Sequence, residues 1–106
     1  MKNEQDHFDV LRQVQKNPKA SQREMAEDLG FSLGKLNYCL KGLKTKGLIK
    51  INNFSKNPNK INYIYILTPK GIAEKTKLTI NFMKRKMHEY DELKREYDES
   101  LKYGSK

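Results

Sequence analysis

The spacing of apolar positions changes along the chain, and each change marks an element. From about Gln5 to Lys16, Phe8, Leu11 and Val14, with Val10 beside them, recur at helical intervals and form one stripe. Asn17-Pro18 ends this helix, because proline lacks an amide donor and disfavours helical backbone in the residue before it. Ser21-Gln22-Arg23-Glu24 then has the form of a capping box, in which the Ser21 hydroxyl and the Glu24 carboxylate each accept the other residue's amide. The helix it opens carries Met25, Ala26 and Leu29 on one side, and Gly30 supplies a left-handed end. After Phe31, Ser32 caps a further helix. There Leu36, Leu40 and Leu43 fall at i, i+4 and i+7, with Leu33 and Cys39 at the margins, and Lys46-Gly47 closes the run.

Two helices joined by a turn of about three residues that contains glycine carry the helix-turn-helix signature. Beyond them the period shortens. Leu48 to Ile51 reads as a strand, Asn52 to Lys60 as a polar turn or loop around Asn57-Pro58-Asn59, and Ile61 to Leu67 as a second strand rich in β-branched and aromatic residues. Both faces of that strand are substantially apolar, so one is expected to cover the helices and the other to be covered by the last segment. That segment starts at Thr68-Pro69, with threonine as N-cap and proline in the first helical position. Along it Ala73, Thr76, Ile80, Met83, Met87, Tyr90, Lys94, Tyr97 and Leu101 alternate in steps of three and four. This is a heptad seam broken by Lys94, with Leu93 just beside it. The expected helix runs to about Lys102, and its distal half needs a partner to be stable in water.

The sequence therefore predicts a mainly α fold with a small β-hairpin wing. Residues 1–67 are expected to form a winged helix-turn-helix domain and residues 68–106 a helix for antiparallel coiled-coil dimerisation. Charge suggests the orientation. Lys70 to Lys86 holds six basic residues and one acid, whereas Glu89 to Glu99 holds six acids against Lys94 and Arg95. Antiparallel pairing sets basic halves beside acidic ones, and several exposed pairs of one sense select an orientation although each is weak.

Charge also points to a partner. Twenty-two Lys and Arg against thirteen Asp and Glu give a formal net charge of +9. Leu29 through Ala73 contains eight lysines and no acid, which favours a polyanion, nucleic acid before any anionic membrane surface. At 106 residues and 36% hydrophobic content, the chain has room for one modest core, consistent with completion by a second copy.

Other chemistries find little footing. A single cysteine, Cys39, excludes an intrachain disulfide and a multi-cysteine zinc site, and among core leucines it reads as a small buried hydrophobe. His7 and His88 stand far apart, so no metal or other cofactor is expected. Neither a glycine-rich phosphate loop nor a nucleophile–base pair nor a carboxylate pair stands out, so catalysis is not expected. The first seven residues lack the apolar stretch of a secretory signal, and no apolar run approaches the roughly 18 residues that span a bilayer. A cytoplasmic protein without a membrane partner is expected.

The order of elements, together with S-Q-R-E-M-A-E-D-L-G from Ser21, K-G-L-I from Lys46 and Y-I-L-T-P-K-G from Tyr65, resembles the MarR-like winged-helix regulators. More narrowly, F-S-L-G-K-L-N-Y-C-L-K-G-L from Phe31 and L-T-I-N-F-M-K-R-K-M-H-E-Y from Leu78 resemble a short branch, the exopolysaccharide-associated MarR-family transcriptional regulators. The likeness runs from about Phe8 to Leu101. It implies a homodimeric regulator that binds double-stranded DNA. Two departures matter: Lys56, Asn57, Asn59 and Lys60 stand where the family commonly has an Asp-Arg pair at the wing tip, and the helices that frame its ligand pocket are missing. No small-molecule effector is therefore expected.

On this model the helix from about 32 to 46 enters the major groove. Ser32, Gly34, Lys35, Asn37, Tyr38 and Lys41 are the expected contacts there: Asn37 suits adenine, lysine suits guanine O6 and N7, and Gly34 lets the backbone come close. Gln22, Arg23, Lys44 and Lys46, with Lys56 and Lys60 of the wing at about 52–60, are expected on phosphates. Ile80, Met83, Met87, Tyr90, Leu93, Tyr97 and Leu101 are expected to line the dimer seam. The residues alone also admit a protein-interaction module or a nucleic-acid binder indifferent to sequence.

Overall fold

A computed structural model describes residues 4–53 and 63–104. Helix α1 (Glu4–Lys16), helix α2 (Gln22–Leu29), helix α3 (Leu33–Thr45), strands β1 (Ile49–Asn53) and β2 (Tyr63–Leu67), and helix α4 (Pro69–Gly104) follow in order. The chain divides into two compact units, 1–76 and 77–106, so the first two turns of α4 belong with the helices and strands before them.

In the first unit, local signals fix the helix ends. Ser21 and Glu24 form both bonds of the capping box, at 3.1 and 2.9 Å. Gly30 (φ 71°) and Gly47 (φ 75°) end α2 and α3 in the left-handed conformation that glycine reaches without penalty. At each end two amides return to the last turn: Gly30 to Glu27 and Phe31 to Ala26, then Gly47 to Lys44 and Leu48 to Leu43. The latter bond takes Leu48 out of the expected strand, and β1 begins one residue later.

Among the described residues every fully buried side chain of the core is apolar. Leu11, Val10 and Val14 of α1, Met25 of α2, and Leu36 and Leu43 of α3 are the largest fully buried side chains. Cys39 is buried among them, and burial pushes its thiol pKa up, with Asp6 adding to the shift and Lys35 opposing it. Strands β1 and β2 pair antiparallel, with Ile49 opposite Leu67 and Ile51 opposite Tyr65. Tyr65 and Leu67 are buried, and β2 packs on α1. The other face of β2, Ile64 and Ile66, stays half-buried rather than sealed.

Two hydrogen bonds and a close approach join the end of α3 to the start of α4. The Thr68 amide donates to the Leu48 carbonyl (3.0 Å) and the Thr68 hydroxyl to the Gly47 carbonyl (2.6 Å). That same hydroxyl accepts the Gly71 amide at 3.0 Å, making Thr68 an N-cap as expected. A side chain on Gly71 would run into the Leu48 carbonyl, with the Leu48 carbonyl carbon only 2.9 Å from its Cβ.

The second unit, described by itself, is the remainder of α4. Neighbouring turns are linked by the ion pairs Lys86–Glu89 (3.8 Å) and Lys94–Asp98 (3.4 Å), each contributing roughly 0.2–0.5 kcal/mol, and by a His88–Glu92 contact at 3.3 Å. Its apolar stripe is laid open: Ile80, Met83, Met87, Tyr90, Leu93, Tyr97 and Leu101 are between 43% and 64% exposed. No helix of the described residues is long and apolar enough to cross a membrane.

Candidate nucleic-acid interface

Helix α3 is two-sided. Leu36, Cys39, Leu40 and Leu43 are buried, while Lys35, Asn37, Tyr38, Lys41 and Lys44 are exposed, Tyr38 by 68%. Core packing therefore fixes which face points outward. At the start of the helix, the Ser32 hydroxyl accepts the Lys35 amide at 3.1 Å, which leaves its own proton available to an anion. The first turn holds no acid to offset the positive end of the helix dipole. Gly34 is exposed, and a Cβ there would meet nothing within 4 Å. Internal packing does not require glycine at this position.

Helix α1 contributes to this surface, which the sequence did not foretell. The Lys35 ammonium lies 3.4 Å from an Asp6 carboxylate oxygen and 4.2 Å from the centre of the Phe31 ring, so Lys35 is held between an acid and an aromatic face. One residue on, His7 joins Tyr38, Lys41, Gly42, Thr45 and Lys46 around an open cleft. The imidazole pKa is lowered by burial first and by the Lys46 charge second, with Asp6 pulling the other way. Nothing in local spacing signals Asp6 or His7, which lie about 30 residues from the helix they flank. Only the packing of α1 on α3 brings them there.

The expected phosphate contacts divide. Arg23, Lys44 and Lys46 are exposed. Gln22 is half-buried, and its amide nitrogen donates to the Tyr65 hydroxyl at 2.6 Å, bracing the start of α2 against the wing strand. Lys56 and Lys60 lie outside the described residues. No group of three His, Cys, Asp or Glu side chains that could hold a metal ion occurs among the described residues.

Residues 7–50 match a family model described as winged helix-turn-helix DNA-binding. No curated protein matches the sequence. Solved structures do. A transcriptional repressor, CouR, bound to a 23-mer DNA duplex is 26% identical, with a TM-score of 0.69 over 89% of this chain and 66% of that one. A mutant of Staphylococcus aureus MepR is 23% identical, with a TM-score of 0.69 over 98% of this chain and 74% of that one. A MarR family transcription regulator is 21% identical, with a TM-score of 0.68 over 90% and 65% of the two chains. The fold is thus the winged helix-turn-helix with a long C-terminal helix, as found in MarR-family regulators. The chain spans about two thirds to three quarters of the length of these proteins.

Proposed function

We propose that the chain is a homodimeric, sequence-specific regulator of transcription that lays α3 in the major groove of double-stranded DNA. The observation that carries this is the outward face of α3, where Asn37, Tyr38 and Lys41 are presented opposite four buried side chains in a winged helix-turn-helix. Asn37 and Lys41, with Lys35 and Tyr38, read base edges. Ser32 holds a phosphate at the helix start, and Gly34 lets the backbone approach. Arg23, Lys44 and Lys46, with Lys56 and Lys60 of the wing, position the protein on the phosphates, and Gln22 steadies Arg23's turn through Tyr65. The protein acts by binding in the cytoplasm, without a cofactor or catalytic step.

Two copies pair through the exposed stripe of α4, antiparallel, and set their recognition helices about one DNA turn apart, roughly 34–36 Å. The stripe supports pairing because a lone helix cannot hide it, and the division of α4 into basic and acidic halves supports the orientation. The Phe31–Leu43 and Leu78–Tyr90 motifs support a likeness to the short exopolysaccharide-associated branch.

The test is Asn37→Ala against a bound sequence selected from random duplexes. Discrimination is expected to fall at one base position by about 1–3 kcal/mol, with little change on unrelated DNA. Undiminished discrimination would remove α3's outward face from base reading.

A further inference from the structure

We propose that the cleft between α1 and the C-terminal half of α3 is a DNA-phosphate pocket in which His7 takes up a proton as the backbone enters, so that mild acid tightens binding. This deepens the DNA-binding reading and rests on it. The walls carry the chemistry. Lys41 and Lys46 supply cations, Tyr38 and Thr45 hydroxyl donors, and His7 an imidazole, around a space of about 370 Å³. No acid lines it. Gly42 forms part of the wall, and a Cβ there would stand 3.9 Å from His7 Nε2, so this nitrogen lies beside α3 at the cleft. Tyr38 and Lys41 belong to the outward face of α3 as well, which makes the cleft the edge of the proposed interface.

The surroundings of His7 set the direction of the effect. Asp6, on the same helix, favours its charged form but is engaged by Lys35 at 3.4 Å. From α3 and its end come Lys46, which disfavours the charge, and Lys41 and Tyr38, which line the cleft. On the other elements packed on α1, Asp28 of α2 accepts from Gln13 and Tyr65 of β2 accepts from Gln22, and the charges that act on His7 are Lys46 and Asp6. The free protein therefore holds the His7 pKa below its ordinary value, which favours the neutral imidazole. A phosphodiester in the cleft replaces water with a fixed negative charge and favours the imidazolium. Between the two titrations the complex binds a proton that the free protein lacks, so affinity must rise as pH falls. Duplex phosphates and bases do not titrate in that window.

Binding to a labelled mixed-sequence duplex of about 30 base pairs, at low and constant ionic strength, is expected to tighten progressively as the pH falls from 7.5 to 5.5. His7→Gln should abolish the tightening, and His7→Lys should bind with a pH-independent affinity. His88→Gln, which alters the other histidine on α4, should keep the wild-type slope. Proton NMR of the His7 imidazole should show its pKa rising on saturation with the duplex. An unchanged His7 pKa in the complex, or the same slope in His7→Gln as in wild type, would overturn the pocket while leaving DNA binding intact. Failure to bind any duplex at either pH would overturn the DNA-binding function itself, and the pocket with it.

Discussion

Gly71→Ala is expected to destabilise the first unit by about 3 kcal/mol, read as a lower urea midpoint at unchanged slope. The sign is the informative part. In an ordinary helical position, alanine in place of glycine stabilises by up to about 1 kcal/mol. At Gly71 the added carbon collides with the Leu48 carbonyl, and backbone cannot step aside as the end of a flexible side chain can. To make room, the first turn of α4 must lift from the end of α3. Lifting strains the bonds from Thr68 to Leu48 and Gly47, which also hold the base of the wing. Gly34→Ala is the internal control. It has open space, so it should leave stability level or slightly raised while weakening DNA binding by obstructing the backbone's approach. A Gly71→Ala protein as stable as wild type would mean that α4 does not seat on Leu48.

The second large effect is expected at the stripe. Met87→Glu together with Tyr90→Glu should turn the proposed dimer into monomer at micromolar concentration, seen by sedimentation, and weaken binding to a two-half-site duplex by 100-fold or more. Met87 and Tyr90 sit where the basic half of α4 gives way to the acidic half, which would be the midpoint of the proposed antiparallel pair. Copies of one residue then lie close across the axis, so each glutamate meets its own image in a region losing water. Burying such a charge without a partner costs several kcal/mol. Losing the dimer also removes the advantage of tethering two half-sites together, worth a factor of about 10²–10⁴. The folded first unit, Asn37 included, should be unaffected and still bind a single half-site weakly. A variant that remains dimeric would place the interface elsewhere.

Much of the architecture was legible because it is written in rules spanning four residues or fewer. The capping serines, the glycines after α2 and α3, and the Thr68-Pro69 start each need only their immediate neighbours, and all formed as expected. The inward stripe of α3 was likewise readable, and with it the outward face. Strand edges were less so. Leu48 has the composition of a strand residue, yet its amide closes α3 and its carbonyl receives Thr68, a competition that local β-propensity does not register.

What the sequence by itself determined was a periodic order of elements, a positive charge and an uncovered heptad stripe, since periodicity and charge are properties of the chain alone. Folding decided which distant residues meet. It turned Gln22 toward Tyr65, set Asp6 against Lys35, placed His7 in a cleft with Tyr38, Lys41, Thr45 and Lys46, and left no space for a side chain at Gly71. Each depends on the distance and rotation between two packed elements. Those are fixed by how the buried faces of α1, α3 and the hairpin fit together, and no local pattern contains them.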